Sequence, residues 1–172
     1  RAYYHTYDLP VIISNCSNNY GSHQFPEKLI PHIILNAIEG KDLPVYGNGK
    51  QTRDFTYVTD VAHAFYLACK SNIFHDIFNV GTGKPTSVNY IAKKLGGKMV
   101  FIPKRPGEPD KSQADIKKIQ KILKWKPQIN IADGIELLLN NINDWKQAPV
   151  WTPKKIGLKT KKWFQYFKKK KI

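Results

Sequence analysis

Cysteine is scarce here: Cys16 and Cys69 are the only two in 172 residues. Two cysteines make neither a disulfide framework nor a metal-ligand pattern, and the default compartment is a reduced, cytoplasmic one. No apolar run approaches the roughly 18 residues that a membrane-spanning helix needs. The chain opens on Arg1 with no basic-then-apolar leader. Acidic residues number only 13, and no pair of them stands out for acid/base work. The five histidines (His5, His23, His32, His63 and His75) show neither metal-ligand nor base-nucleophile spacing. Walker loops and nucleophile motifs are missing as well. The sequence therefore offers no candidate catalytic residue and no candidate metal ligand, and the residues present speak more of binding than of reaction.

What is present fits a folded chain: 41% hydrophobic and 12% aromatic residues support one ordinary core. The net charge is +15, but it is uneven. From Lys146 to Ile172 there are ten lysines and no acidic residue, which leaves only +5 for the remainder. Within that tail Thr152-Pro153 opens a helix as a cap and a first-turn proline. It reads as a packed aromatic stripe (Ile156, Trp163, Phe164, Phe167) with a solvated lysine face. The competing reading is a helix for nucleic acid or a membrane surface.

Short strands alternate with helices, which predicts an α/β or mixed α+β arrangement. Arg1–Tyr7 looks like the last turns of a helix, and with no initiator Met the chain reads as the C-terminal part of a longer protein. Pro10–Ile13 is a buried strand that gives way to six small polar residues, Ser14–Asn19. A helix is predicted over Pro26–Gly40, with Pro31 tolerated early. Leu43–Tyr46 and Arg53–Val58 form two short strands about Gly47-Asn48-Gly49. Thr59 caps a helix with Val61, Phe65 and Ala68 inward. A strand at Asp76–Val80 precedes a helix begun by Thr86 or Ser87, and a strand at Lys98–Ile102 precedes a loop over Lys104–Lys111. Helices at Asp115–Lys124 and Ala132–Lys146 follow.

Only three of the 28 basic residues are arginine: Arg1, Arg53 and Arg105. A guanidinium offers a planar fork of donors matched to phosphate or carboxylate, where lysine offers a point charge. Arg53 and Arg105 are accordingly either an anion clamp or local surface pairs with Asp54 and Glu108. Gly81-Thr82-Gly83 lacks a third glycine and a suitably spaced acid, so it is a plain strand-to-helix turn and not a dinucleotide loop. Asn79, polar inside an apolar strand, either satisfies a backbone group or points at a ligand.

Taken as a set, NCSNNYG, FPEKLIP, LPVYGNGKQTRDFTYVTDVAHA, FNVGTG, RPGEPDKSQADI and LKWKP occur in order over residues 1–146. They resemble the C-terminal half of NAD-dependent nucleotide-sugar epimerases and dehydratases, the extended short-chain dehydrogenase/reductase family. NCSNNYG with FPEKLIP is closest to the 4,6-dehydratase branch. The resemblance implies the C-terminal part of a Rossmann-type fold with its mixed α+β substrate-binding domain. Residues 1–25 would be the last strand region of the NAD-binding domain, 26–150 the nucleotide-sugar-binding domain, and 151–172 a basic tail. It implies NAD as cofactor, bordered by Asn15, Cys16 and Ser17. A nucleotide-diphosphate sugar would be met by Asn18, Lys28, Leu29, Pro44, Tyr46, Arg53, Asn79 and Arg105. The catalytic Tyr-x-x-x-Lys and the Gly-rich NAD loop would be absent from this chain, leaving it inactive alone. The whole protein would be a cytoplasmic homodimer with no nucleic-acid partner and no membrane span. A 4-epimerase or decarboxylase is the alternative within the family. In one departure, Glu108 stands where some relatives have His.

Overall fold

The computed structural model describes residues 2–96, 98–104 and 106–143, together with Leu158, Lys161 and Gln165. Apart from those three residues, the predicted tail helix lies outside the described residues, as does Arg105.

A short helix, α1 (Ala2–Tyr7), leads into β1 (Ile12–Cys16). The polar cluster does not end this strand, as the sequence had suggested. Ser14, Asn15 and Cys16 continue β1, and Asn18–Tyr20 forms a second strand, β2. The reason is pairing: β1 runs parallel to a later strand, Asp76–Val80, in register from Ile12 with Asp76 to Cys16 with Val80. β2 runs parallel to Phe55–Tyr57. A backbone ladder supplies what the side chains do not.

Helix α2 spans Leu29–Ile38 and buries Ile30, Ile33 and Ile34. It starts three residues later than predicted, which puts Pro31 in the first turn, where a missing N–H costs nothing. β3 (Leu43–Tyr46), β4 (Thr52–Arg53) and β5 (Phe55–Tyr57) follow. The turn at residues 47–49 is present, but β3 and β4 are not partners. β3 pairs in parallel with the strand at Met99–Ile102, and β4 pairs antiparallel with Thr86–Ser87.

Helix α3 (Val58–Lys70) has Tyr57 at its N-cap position with no side-chain capping bond, and Thr59, the expected cap, is already inside its first turn. It buries Val61, Ala64 and Ala68, while Phe65 stays 45% exposed. The inward stripe follows i, i+3, i+7, and residue 65 stands one step of about 100° beyond residue 64. Strand β6 (Asp76–Val80), strand β7 (Thr86–Ser87) and α4 (Val88–Leu95) come next; Ser87 caps α4 through the Tyr90 N–H at 3.2 Å. The last elements are β8 (Met99–Ile102), α5 (Lys117–Leu123) and α6 (Ile131–Asn140), the last capped by the Asn130 side chain.

Two apolar clusters organise these elements. One joins Tyr20, Ile30, Ile33, Ile34, Leu43, Phe55, Tyr57, Ile91 and Ile135. The other joins Val61, Ala64, Phe78, Val80, Ile119, Leu123 and Trp125. Gly134 lets α6 approach the first: a Cβ there would sit 2.0 Å from the Tyr20 hydroxyl oxygen. Tyr20 is buried, which pushes its hydroxyl well above the usual phenol range, and it donates to the Asn130 carbonyl at 3.4 Å. Among the described residues no helix is long and apolar enough to cross a membrane.

Candidate functional site

Strand alternation decides which face of β3 is functional. Leu43 and Val45 are fully buried in the core, so Pro44 and Tyr46 face the other way. They border a cavity of about 290 Å³. Asn18 at the start of β2, Leu29 at the start of α2 and Arg53 at the end of β4 line the same cavity, with Glu108 from the loop after β8. Five of the residues singled out from the sequence are thus brought together from four separate elements.

Arg53 is the electrostatic centre of this cavity. Its side chain is 11% exposed. Nη1 donates to the Thr52 carbonyl at 2.9 Å, and Nη2 donates to Glu108 Oε1 at 2.8 Å. The surface pair with neighbouring Asp54, one of the two readings of the sequence, does not form. The predicted Arg105–Glu108 alternative involves a residue outside the described set.

Asp54 turns inward instead, and sequence reasoning missed what it does there. It is fully buried. Its Oδ1 accepts the Thr82 N–H at 2.8 Å and the Thr82 hydroxyl; its Oδ2 accepts N–H groups from Gly83 at 2.9 Å and Ala114 at 3.0 Å. The Gly-Thr-Gly turn therefore does cradle an anion, and the anion is the protein's own carboxylate. Gly81 makes this approach possible, since a Cβ there would stand 2.5 Å from Ala114 Cβ and 2.8 Å from Asp54 Oδ2. The Asp54 carbonyl meanwhile accepts the Asn18 N–H at 3.0 Å, which ties the strand end that carries Asn18 to the strand that carries Arg53.

The other expected residues are distributed differently. Lys28 is exposed as the N-cap of α2 and does not line the cavity, although Glu27 and Leu29 on either side of it do. Asn79 also lies off the cavity; its amide donates to the Asp115 carbonyl at 3.3 Å, so it satisfies a backbone group. Asn15, Cys16 and Ser17 sit at the end of β1, apart from the cavity lining. Asn15 is exposed and reaches Asn79 at 3.5 Å, and Ser17 shares a 2.7 Å hydrogen bond with Thr56. Burial pushes the Cys16 thiol up, against a smaller lowering by the Asn19 side chain. With the Gly-Thr-Gly turn closed on Asp54, the described residues do not by themselves form a dinucleotide cradle.

The bare Tyr-x-x-x-Lys spacing, as distinct from the catalytic pair expected to be absent, occurs at Tyr46/Lys50, Tyr66/Lys70, Tyr90/Lys94 and Tyr166/Lys170. Tyr66 and Tyr90 lie on helices α3 and α4, 58% and 42% exposed, and neither lines the cavity. Tyr46 lines it, but the left-handed Gly47 and Gly49 between it and Lys50 make a turn and not a helix. Tyr166 is outside the described residues. Among the described residues no group of three or more His, Cys, Asp or Glu could hold a metal ion.

Comparison with known proteins assigns this architecture. Residues 1–81 match the model of the NAD dependent epimerase/dehydratase family, and the chain belongs to that family. Within it, the chain is similar to the dTDP-glucose 4,6-dehydratase of Escherichia coli, 40% identical over 149 residues, 78% of this chain and 41% of the relative. It is 38% identical over 177 residues to a probable dTDP-glucose 4,6-dehydratase of Sinorhizobium fredii, covering 91% of this chain and 51% of that one. The chain spans about half the length of the curated relatives it matches. Among solved structures, DesIV of Streptomyces venezuelae, a dTDP-glucose 4,6-dehydratase with NAD and TYD bound, superposes with a TM-score of 0.77 at 30% identity over 86% of this chain and 49% of its own. UDP-glucuronic acid 4-epimerase of Bacillus cereus, in complex with UDP-glucuronic acid and NAD, gives 0.78 at 30% identity over 83% of this chain and 48% of its own. The fold is thus of the Rossmann type found in NAD-dependent dehydratases and epimerases.

Proposed function

We propose that this chain is the nucleotide-diphosphate-sugar-binding portion of an NAD-dependent nucleotide-sugar 4,6-dehydratase, an enzyme that makes a 4-keto-6-deoxy sugar nucleotide. One observation carries the reading: a nearly buried guanidinium, Arg53, shares a cavity with Asn18, Leu29, Pro44 and Tyr46. That combination suits a nucleoside diphosphate. The arginine fork matches a phosphate, the ring of Tyr46 and the side chains of Leu29 and Pro44 offer apolar cover, and Asn18 adds an adaptable donor and acceptor. Lys28, Asn79 and Arg105 remain part of the proposed substrate surface, and Asn15, Cys16 and Ser17 of a border with NAD. In the same reading residues 26–150 form the sugar-nucleotide domain, residues 1–25 close a Rossmann sheet, and the whole enzyme is a cytoplasmic homodimer.

The test is calorimetric titration of dTDP and UDP into the 172-residue chain. Arg53→Ala should weaken the bound nucleotide by tenfold to a hundredfold, from a charge-assisted contact of about 1.5–3 kcal/mol. Equal titration heats for parent and variant would remove the anion site. The similarity to a UDP-glucuronic acid 4-epimerase supports a second reading, a 4-epimerase. Product analysis of the whole enzyme separates the two: a 4-keto-6-deoxy sugar excludes the epimerase.

A further inference from the structure

Among the described residues, the cavity around Arg53 holds more negative than positive side chains. Besides the guanidinium it is lined by Glu108 and Glu27. For a site read as taking a diphosphate this is an unusual balance, and the position of Glu108 makes it specific. Glu108 lies 55 residues from Arg53 in sequence, yet the loop is fastened so as to deliver it. The Thr52 N–H donates to the Asp110 carbonyl at 2.9 Å, and the Ser112 N–H donates to the Thr52 carbonyl at 3.1 Å. Both bonds fall on the residue beside Arg53. Asp110 also pairs with Lys104 across the loop, which holds its carboxyl below the usual range, and Gly107 takes a left-handed φ of 75° just before the glutamate. The result is a carboxylate set on a nearly buried guanidinium from the rim, through one oxygen, with its own side chain 28% exposed.

We propose that Glu108 competes with the ligand for Arg53 and so sets an affinity threshold that bare anions do not reach; this rests on the reading of the cavity as a diphosphate site. A phosphate that takes Nη2 must turn Glu108 away or sit beside its negative charge, and either costs affinity. The cost is common to every anion. Inorganic pyrophosphate lacks a nucleoside to offset it, whereas a nucleoside diphosphate also covers Leu29, Pro44 and Tyr46. Glu108 thus sets a threshold that only a ligand with a nucleoside attached passes. Its exposure on the rim gives it somewhere to go when displaced, unlike Asp54, whose carboxylate is fully buried.

The experiment compares the parent chain, Glu108→Gln, Arg53→Ala and the double variant by titration with dTDP and with inorganic pyrophosphate. Glutamine keeps a carbonyl acceptor for Nη2 and removes the charge. Glu108→Gln should tighten both ligands by the same factor, about tenfold, bringing pyrophosphate into the measurable range, and the gain should vanish when Arg53 is alanine. Weaker or unchanged dTDP binding in Glu108→Gln overturns the proposal. If Arg53→Ala still weakens dTDP binding in that case, the diphosphate site stands and only the competitor role is lost. If dTDP binds neither parent nor Glu108→Gln, or ignores Arg53→Ala, both readings go.

Discussion

Replacing Asp54 by alanine should cost the folded chain about 3–5 kcal/mol, the scale set by breaking a buried charged network. The side chain is fully buried, and its two oxygens accept three backbone N–H groups and one hydroxyl. Alanine removes the acceptor from all four donors at once in a partly buried turn, and only the Thr82 hydroxyl keeps a second acceptor, the Lys84 carbonyl at 3.3 Å. Asparagine is no rescue. Its amide would point N–H groups at either the Thr82 pair or the Gly83 and Ala114 pair. Against a typical domain stability of about 5–15 kcal/mol this is a large fraction. The measurement is urea denaturation, with the midpoint falling and the slope unchanged. The Asn18–Asp54 bond is made by backbone and survives the substitution, so the register of β2 with β5 should persist while the Gly-Thr-Gly turn loosens. Since Arg53 precedes Asp54 directly, dTDP affinity should also drop severalfold at temperatures where the variant is still folded. A variant that melts with the parent would mean that the buried carboxylate is dispensable.

Much of this architecture is legible in the sequence, and where legibility stops is physically consistent. Val80 ends β6 where predicted and Ser87, one of the two caps offered, starts α4, because each is set by a local pattern or a local cap. Strand partners are another matter. The residues on either side of Gly47-Asn48-Gly49 read as strands about a turn, and they are strands, but their partners lie more than 30 residues away in β7 and more than 50 away in β8. Short strands carry little information about whom they pair with, and tertiary packing chooses. The site divides in the same way. Arg53 stands out because a lysine-rich chain keeps so few arginines, whereas Tyr46 and Pro44 come from the family resemblance alone. Asp54 and Glu108 do not stand out: what makes them matter is the approach of Ala114 and of the loop over residues 106–112, which no local pattern encodes. The polar run Ser14–Asn19 was the clearest misreading of type. It looked like a strand ending and is instead strand, carried by ladders to β6 and β5.

Trp125→Ala should be comparably severe, about 3–5 kcal/mol, through a different mechanism. Trp125 is 1% exposed among Phe78, Val80, Ile119 and Leu123, and its Nε1 donates to the Asp60 carbonyl at 3.1 Å. The Asp60 carboxylate in turn accepts the N–H groups of Gln128 and Ile129 at 3.1 and 3.0 Å. The segment after α5 is therefore wrapped on the first turn of α3, with the indole as its anchor. Alanine opens a cavity in that cluster and leaves one carbonyl without its donor; Trp125→Phe, which fills most of the volume and lacks the N–H, should cost only about 1–2 kcal/mol. None of the residues around Trp125 lines the Arg53 cavity. The folded fraction of Trp125→Ala should then bind dTDP with the affinity of the parent, measured by titration well below its lowered melting temperature. That outcome, beside weakened binding in Asp54→Ala at similar stability loss, would separate the carboxylate that organises the cavity from the indole that only holds the scaffold. Weakened binding in both would mean that the two clusters move as one body, and that the cavity depends on global stability more than on the Asp54 cradle.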